Sequence, residues 1–391
     1  MRIAYFSPLP PQRSGIADYS GELIPHLSRL ADLTLFTADP DAVDKAVAVQ
    51  YDLRSHEQFG DLSDQFDLAL YHIGNSEYHD DIARIAFDAP GVIVLHDHNL
   101  HHAVALRTIG KGDRFAYARE MGYERGADGV RRAMATRYGI EPPLFENPLN
   151  GRLLDASLGV IVHSQYTARL VERQGYRGSL SIIPALIAPF SGRSRRRELN
   201  LPDDAVLFGS FGLISKEKQI IETLHALRRL RTEMPNAYYL LVGNVVAELP
   251  VEEAIQELGL HDAVFYAGYA AQLSDFVDWI HTADVVINLR SPTVGETSAA
   301  ALRAMAAGKA LIINDDGWYR EIPSAAAAKI PPGDESALLD VMRSMGQSEA
   351  VRQAMGNAGR QYTRKVCSPG KIAEEYVRTL TRIMRTARIY G

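Results

Sequence analysis

The 391-residue chain reads as an α/β protein of two doubly wound, mostly parallel sheets. Three observations predict this. Short apolar runs alternate with segments of helical periodicity, and the alternation occurs in two sets. Between the sets the rhythm stops over residues 184–204, which hold Pro189, Gly192, the run Arg193-Ser194-Arg195-Arg196-Arg197, and Pro202. Parallel strands are buried on both faces, so they read as continuous apolar runs.

The first strand runs from Ile3 to Ser7 and leads through a Pro-rich loop to a helix from Ile16 to Leu30. Leu23, Ile24, Leu27 and Leu30 share one face of that helix. Leu33–Phe36, Asp67–His72, Val92–His96, Leu158–His163 and Leu180–Ile183 continue the first sheet. Lys111–Gly139 departs from the rhythm and reads as one or two inserted helices. It is rich in arginine (114, 119, 125, 131, 132 and 137) and holds Tyr117, Met121 and Tyr123. Its plain reading is a solvated helical face; its sharper one is a surface for an acceptor or an anionic membrane.

Residues 184–204 mark the domain boundary, and their basic run reads as a solvated linker. The second set has strands at Val206–Phe211, Tyr238–Val242, Val264–Ala267, Val285–Leu289, Ala310–Ile313 and Ala327–Ile330. Helices are expected at Ile220–Met234, Ser336–Met345, Glu349–Arg364 and Lys371–Arg388. The domains are thus 1–188 and 189–370, followed by a last helix at 371–388.

Composition removes several classes of function. With 46% hydrophobic and 23% charged residues the chain is not disordered. Its 42 Lys and Arg against 48 Asp and Glu leave a formal charge of -6, which suits no general nucleic-acid binder. The single cysteine, Cys367, allows no intramolecular disulfide framework and no cysteine-based metal site. The apolar run after Arg2 breaks at Pro8, and no run approaches the ~20 apolar residues of a membrane span. The expectation is a cytoplasmic protein, with peripheral contact at the inner face of the membrane.

Ligands of doubly wound sheets bind at the carboxyl ends of the strands. After the first strand, Ser14-Gly15 opens a helix. A glycine there lets the backbone approach a phosphate or hydroxyl, or simply makes a turn, and no G-x-G-x-x-G is present. After Val206–Phe211 come Gly212 and two lysines, Lys216 and Lys218, at a helix start. The helix dipole disfavours cations at that end, so a bound anion would remove a conflict; the alternative is exposed lysines beside Glu217. Other strands end at Gly243-Asn244 and Gly268-Tyr269. After Val285–Leu289 comes Arg290, then Gly295-Glu296-Thr297-Ser298 and a helix of small residues. Backbone N–H groups near Thr297 and Ser298 suit a diphosphate. Glu296 suits sugar hydroxyls or acts as an ordinary N-terminal acid.

Six of the 12 histidines lie between positions 72 and 102: His72, His79, His96, His98, His101 and His102. His96-Asp97-His98 at a strand end is a pattern of metal-dependent hydrolases, with His163 as a further ligand. That reading leaves the second half without a role. The favoured one is a single catalytic or sugar-binding histidine, His96, with the others on the surface.

Several segments, in order, resemble one family. They are the Gly15 loop, Leu95-His96-Asp97, Val160-Ile161-Val162-His163-Ser164, the Phe211–Lys218 loop, Leu240-Leu241-Val242-Gly243 and Ala283-Asp284-Val285. The strongest is Gly295-Glu296-Thr297-Ser298 followed by Arg303-Ala304-Met305-Ala306-Ala307-Gly308. Over nearly its whole length the chain resembles the nucleotide-sugar glycosyltransferases of family four, in a subgroup with a Gly-Glu-Thr-Ser donor loop. The resemblance implies the GT-B fold, two facing Rossmann-like domains, with the last helix crossing back to the first. It implies transfer of a hexosyl unit from a nucleotide diphosphate sugar to a glycan, lipid-linked or small-molecule acceptor, with retention and without metal or other cofactor. Donor binding would fall mainly to the second domain.

By the same resemblance His96 stands near the donor sugar, Lys218 on the diphosphate and Gly15 near the reaction centre. Ser14, Gly212, Lys216, Gly243, Asn244, Gly268, Tyr269, Gly295, Thr297 and Ser298 complete the donor-side candidates. There are two departures. Leu213 stands where the family usually has an arginine, and Arg290 is the candidate replacement. Gly295 and Arg303 stand where the family tends to have two glutamates, with Glu296 one residue out of register. The competing functions are the His96/His98 hydrolase and a non-catalytic sugar-nucleotide-binding protein.

Overall fold

The computed structural model describes residues 1–390, with side chains through 387. It divides into two compact units. The first comprises Met1–Leu186, Val294–Thr297 and Pro369 onward; the second comprises Ile187–Thr293 and Ser298–Ser368.

The first unit is built on a seven-stranded sheet. Its strands are β1 (Arg2–Phe6), β2 (Asp32–Thr37), β3 (Asp52–Ser55), β4 (Leu68–Ile73), β5 (Val92–Leu95), β6 (Gly159–Val162) and β7 (Leu180–Ile182). They are ordered β3-β2-β1-β4-β5-β6-β7, and every pairing is parallel. The order reverses between β1 and β4, which is where such sheets open a crevice at the strands' carboxyl ends. β4, β5 and β6 are buried throughout and β1 from Ile3 onward, as their apolar runs require. Edge strand β3, Asp-Leu-Arg-Ser, has no apolar run and is invisible to that signal.

The second unit repeats the plan with six strands. They are β8 (Val206–Phe211), β9 (Ala237–Val242), β10 (Val264–Gly268), β11 (Val285–Ile287), β12 (Ala310–Asn314) and β13 (Ala328–Ile330). Their order, β10-β9-β8-β11-β12-β13, is again parallel and reverses between β8 and β11. The expected α/β class with two doubly wound sheets is what the chain adopts.

Two helical features shape the first unit. The insert forms a helix over Arg114–Ala135 that is broken at Gly126 (φ 59°, ψ −144°), so it is two helices meeting at a kink. The last helix, Pro369–Tyr390, packs against the helix Gly15–Leu27. It sends Ile372, Tyr376, Leu380 and Ile383 into the core of the first unit, where the hydroxyls of Tyr376 and Tyr19 lie 2.8 Å apart.

The basic run is not a solvated linker. Arg195 pairs with Asp275 and lies 3.5 Å from Asp278, and its guanidinium sits 5.2 Å from the Trp279 ring. Arg196 bonds Asp284 at 2.7 Å. The acidic groups of the helix Leu273–Thr282 and the residues after it tie the run down within the second unit. Among the described residues no helix is long and apolar enough to cross a membrane.

Candidate functional site

In the second unit, three adjacent strands end in glycine and the three glycines meet. Gly212 N donates to Val242 O, and Gly243 N donates to Gly268 O, each at 2.8 Å. A Cβ on Gly243 would lie 2.0 Å from the Gly212 carbonyl oxygen, and Gly243 has φ +146°. Only glycine fits a backbone that approaches another so closely in that conformation. The rim they form is side-chain-free main chain at the carboxyl edge of β8, β9 and β10, half-buried at Gly212 and Gly268 and buried at Gly243. Tyr266 caps it by donating its hydroxyl to Gly243 O at 2.8 Å. Asn244 and Tyr269 are exposed beside it.

Lys218 belongs to this rim. It is 8% exposed, and its ammonium donates to the Phe211 carbonyl at the end of β8. The lysines do not open the following helix. They form a separate turn, Lys216–Lys218, and the helix begins at Ile220 after Gln219, which adopts a left-handed conformation (φ 54°). The conflict with the helix dipole expected from the sequence is therefore met in part by geometry: the buried cation faces a strand-end carbonyl. Lys216 is exposed.

The Arg290 loop lies against the same turn, since Ser291 N donates to Glu217 O at 2.8 Å. Two asparagines missed in the sequence hold this loop. Asn314, buried at the end of β12, accepts from Arg290 N at 2.7 Å. Asn288, just after β11, donates to Ser298 Oγ at 2.9 Å and to the Tyr319 hydroxyl at 2.5 Å. A buried polar residue next to an apolar strand was the available signal for both. Ser298 is the N-cap of the helix Ala299–Ala306, with its Oγ accepting from Ala301 N at 3.3 Å. Its hydroxyl thus serves the fold in this structure. Arg303 is buried within that helix.

Val294–Thr297 belongs by its contacts to the first unit. Asn99 N donates to Val294 O at 2.9 Å, and Thr167 Oγ1 donates to Gly295 O at 2.7 Å. Glu296 accepts from Val294 N at 2.8 Å. It lies two residues before the N-cap, so it is not a first-turn acid of the helix. Thr297 Oγ1 is buried and has no hydrogen-bond partner.

Also in the first unit, Ser14 caps the helix Gly15–Leu27 by accepting from Ile16 N at 3.2 Å. Gly15 is exposed there, and a Cβ on it would meet nothing within 4 Å. The histidines differ most from expectation. His72, His79, His98, His101 and His163 are buried. His96 is half-buried and sits between two other rings: its Nε2 is 2.9 Å from His72 Nδ1, and its Nδ1 is 3.2 Å from His163 Nε2. Parallel register places these residues at neighbouring strand ends, which no local sequence pattern reveals. Tyr19 closes over the group, with its ring 4.9 Å from that of His96 and 5.3 Å from that of His163.

His98 faces elsewhere. Its Nδ1 lies 3.3 Å from Asn150 Nδ2, and its carbonyl also accepts from that amide. His96 and His98 therefore do not converge as paired ligands. Among the described residues, no group of three or more His, Cys, Asp or Glu side chains is placed to hold a metal ion. Burial, together with the neighbouring imidazoles, holds His96 and His72 well below the ordinary histidine range. Burial brings His163 and His79 down to about 4, against the upward pull of the carbonyls they bond.

Residues 193–362, which carry the glycine rim and Lys218, match the family described as glycosyl transferases group 1. One curated relative is the lipopolysaccharide 1,2-N-acetylglucosaminetransferase of Salmonella typhimurium, 28% identical over 225 residues. That match spans 52% of this chain and 58% of the relative, so little more than half of its length is represented. The structure is similar to sucrose-phosphate synthase from Thermosynechococcus elongatus, with a TM-score of 0.68, 17% identity, and coverage of 99% of this chain and 100% of that one. It is also similar to Anabaena HepE in complex with UDP, with a TM-score of 0.66, 16% identity, and coverage of 98% and 100%. These likenesses show the fold, two Rossmann-like parallel-sheet domains of the GT-B type. The match over 193–362 supports the group 1 glycosyltransferase family.

Proposed function

We propose that this chain, whose second half carries the glycosyl transferases group 1 pattern, is a glycosyltransferase that uses a nucleotide diphosphate sugar. The observation that carries the reading is the rim of Gly212, Gly243 and Gly268 with Lys218 beside it. A phosphate needs room beside the main chain and fixed positive charge; glycines at the strand ends place no side chain in its way, and Lys218 carries the charge. Lys218, Lys216 and Arg290 are the cations that would stabilise charge on the leaving diphosphate. In that role no metal is required, and pre-placed cations act where charge develops in the transition state. Arg290, held by Asn314 beside the lysine turn, takes the place of the arginine absent at Leu213.

In the same reading the transferred unit is a hexose, moved with retention of anomeric configuration to a glycan, lipid-linked or small-molecule acceptor bound by the first unit. HepE, similar in fold, has been solved with UDP-glucose, and the Salmonella relative is named for N-acetylglucosamine transfer. Peripheral contact with an anionic membrane through the Arg114–Ala135 insert belongs to this proposal.

The test is a thermal-shift panel of UDP, GDP and ADP with their sugars, followed by transfer assays with and without a chelator. A ligand of the folded state raises its apparent stability by an amount set by concentration over Kd. The expected result is a shift with one nucleotide family, chelator-resistant transfer that retains the anomer, and loss of roughly a hundredfold or more in kcat for Lys218→Ala. Stabilisation by a donor without turnover on any acceptor would favour a non-catalytic binding protein. An inverted product would remove the retaining mechanism.

A further inference from the structure

For neutral rings, the contacts among His72, His96 and His163 admit a single assignment of protons. His163 Nδ1 lies 2.8 Å from the Ile183 carbonyl, which can only accept, so that nitrogen carries a proton. A neutral imidazole has one N–H, which leaves His163 Nε2 as an acceptor. His96 Nδ1, 3.2 Å away, is then the donor, and His96 Nε2 an acceptor. His72 Nδ1, 2.9 Å from that nitrogen, donates in turn. His72 Nε2 is the open end, an acceptor that is buried and has no partner. His79 repeats the pattern, with Nδ1 donating to the His72 carbonyl at 3.0 Å and Nε2 left buried without a partner.

Each of these four residues is therefore held as the Nδ1–H form, the minority tautomer of free histidine in water. Neutrality is part of the same geometry. With the neighbouring rings unchanged, a second proton on His96 or His163 would set two N–H groups against each other across one hydrogen bond, and relieving that by a shift of tautomers would leave an unpaired N–H at the buried His72 Nε2. Burial opposes that charge as well.

We infer that His72 and His163 are positioning residues that lock the His96 ring in its Nδ1–H tautomer and orientation, with the Ile183 carbonyl setting the direction of the chain. The three rings do not form a proton conduit. A proton passed from His72 through His96 would stop on His163 Nε2, because the Nδ1–H of that ring faces only the Ile183 carbonyl, which is too weak a base to take a proton further. The lock also occupies both nitrogens of His96, so this ring offers a neighbouring ligand no N–H while the chain is intact. Tyr19 packs edge-on against His96 and opposes its rotation out of line.

The inference touches the transferase reading in one respect, that His96 stands beside the reacting sugar. Its test separates the two. The full-length protein is labelled with 15N-histidine, and long-range proton–nitrogen spectra are recorded at neutral pH without ligand. Protonated Nδ1 and bare Nε2 are expected at His72, His79, His96 and His163. A protonated Nε2 at His96 overturns the lock.

His163→Phe then keeps a ring but removes the acceptor. The expected result is conversion of His96, wholly or in part, to the Nε2–H form; an unchanged tautomer overturns the role of His163. Should that variant not fold, His163→Gln, whose side-chain oxygen accepts in place of Nε2, is expected to keep His96 as Nδ1–H. Loss of that form would overturn the role equally. In transfer assays His163→Phe is expected to lose roughly tenfold to a hundredfold in kcat/KM through misplacement of His96. Full turnover with a converted tautomer would remove His96 from the transferase reading and leave the lock standing.

Discussion

Gly243 shows how one position can carry a large share of a site. Its φ of +146° is a conformation L side chains rarely adopt, and its Cα faces the Gly212 carbonyl. Gly243→Ala therefore combines backbone strain with a clash against main chain that cannot swing aside. The expected cost is about 2–4 kcal/mol of stability, read from urea denaturation. A variant within about 0.5 kcal/mol of the parent would show that the close approach is relaxed in solution. Lys218 is the opposite case, a residue whose type was legible and whose setting was not. The two lysines pointed to an anion at a helix start. The structure puts both in a separate turn and sets the Lys218 ammonium on a strand-end carbonyl, so that cation is already partly satisfied before any phosphate arrives.

Among the elements, the insert best shows what pattern reading achieves. Arginine-rich composition and scattered aromatics suggested one or two helices, and the kink at Gly126 makes two. Its buried face, Tyr117, Met121 and Ala133, forms a small core of its own with Val104 and Leu149. Elsewhere on the two helices Phe115, Tyr123 and Val130 are exposed, as are the following Tyr138 and Ile140 and the arginines 114, 119, 125 and 131, the last paired with Asp128. Exposed apolar side chains in an arginine-rich segment suit an anionic lipid surface. The protein is expected to sediment with vesicles containing phosphatidylglycerol and not with phosphatidylcholine alone, and to be released by high salt. Replacing Phe115 and Tyr138 with serine is expected to weaken binding while leaving the thermal midpoint unchanged. Equal binding to neutral vesicles, or none to anionic ones, would sink this proposal. The arginine run at 193–197 teaches the converse. Its composition read as solvated linker, but the acids that hold it lie about eighty residues later. No window of local sequence contains both halves of that contact.

For the molecule as a whole, the buried histidines set the response to acid. His79, His98, His101 and His163 fall to about 4, and His72 and His96 lie well below their ordinary value of 6.5, burial being the first cause in each. Their folded-state values are depressed, so the unfolded chain binds more protons between about 6.5 and 4. Stability is fully present above 6.5 and is lost as pH falls through that window. Each group contributes at most about 1.4 kcal/mol per pH unit. The urea midpoint is therefore expected to drop between pH 6.5 and about 5, with more than one proton taken up per unfolding event. A flat midpoint there would mean that these rings reach solvent.

The paired sheets followed from hydrophobic periodicity, because a strand buried on both faces must be apolar wherever it lies in the chain. The positions of Gly212, Gly243 and Gly268 followed in the same way, since a strand's end is a local event. The polar edge strand β3 escaped, because an edge need not be apolar. The histidine chain was decided by register. His72, His96 and His163 are separated by 24 and 67 residues, and no local pattern joins the three into one chain. Only parallel pairing of β4, β5 and β6 brings their rings within hydrogen-bonding distance, and only the Ile183 carbonyl beyond them fixes which nitrogen holds each proton. Local chemistry travels with the residue; a proton's place in a chain of rings depends on what lies at its far end.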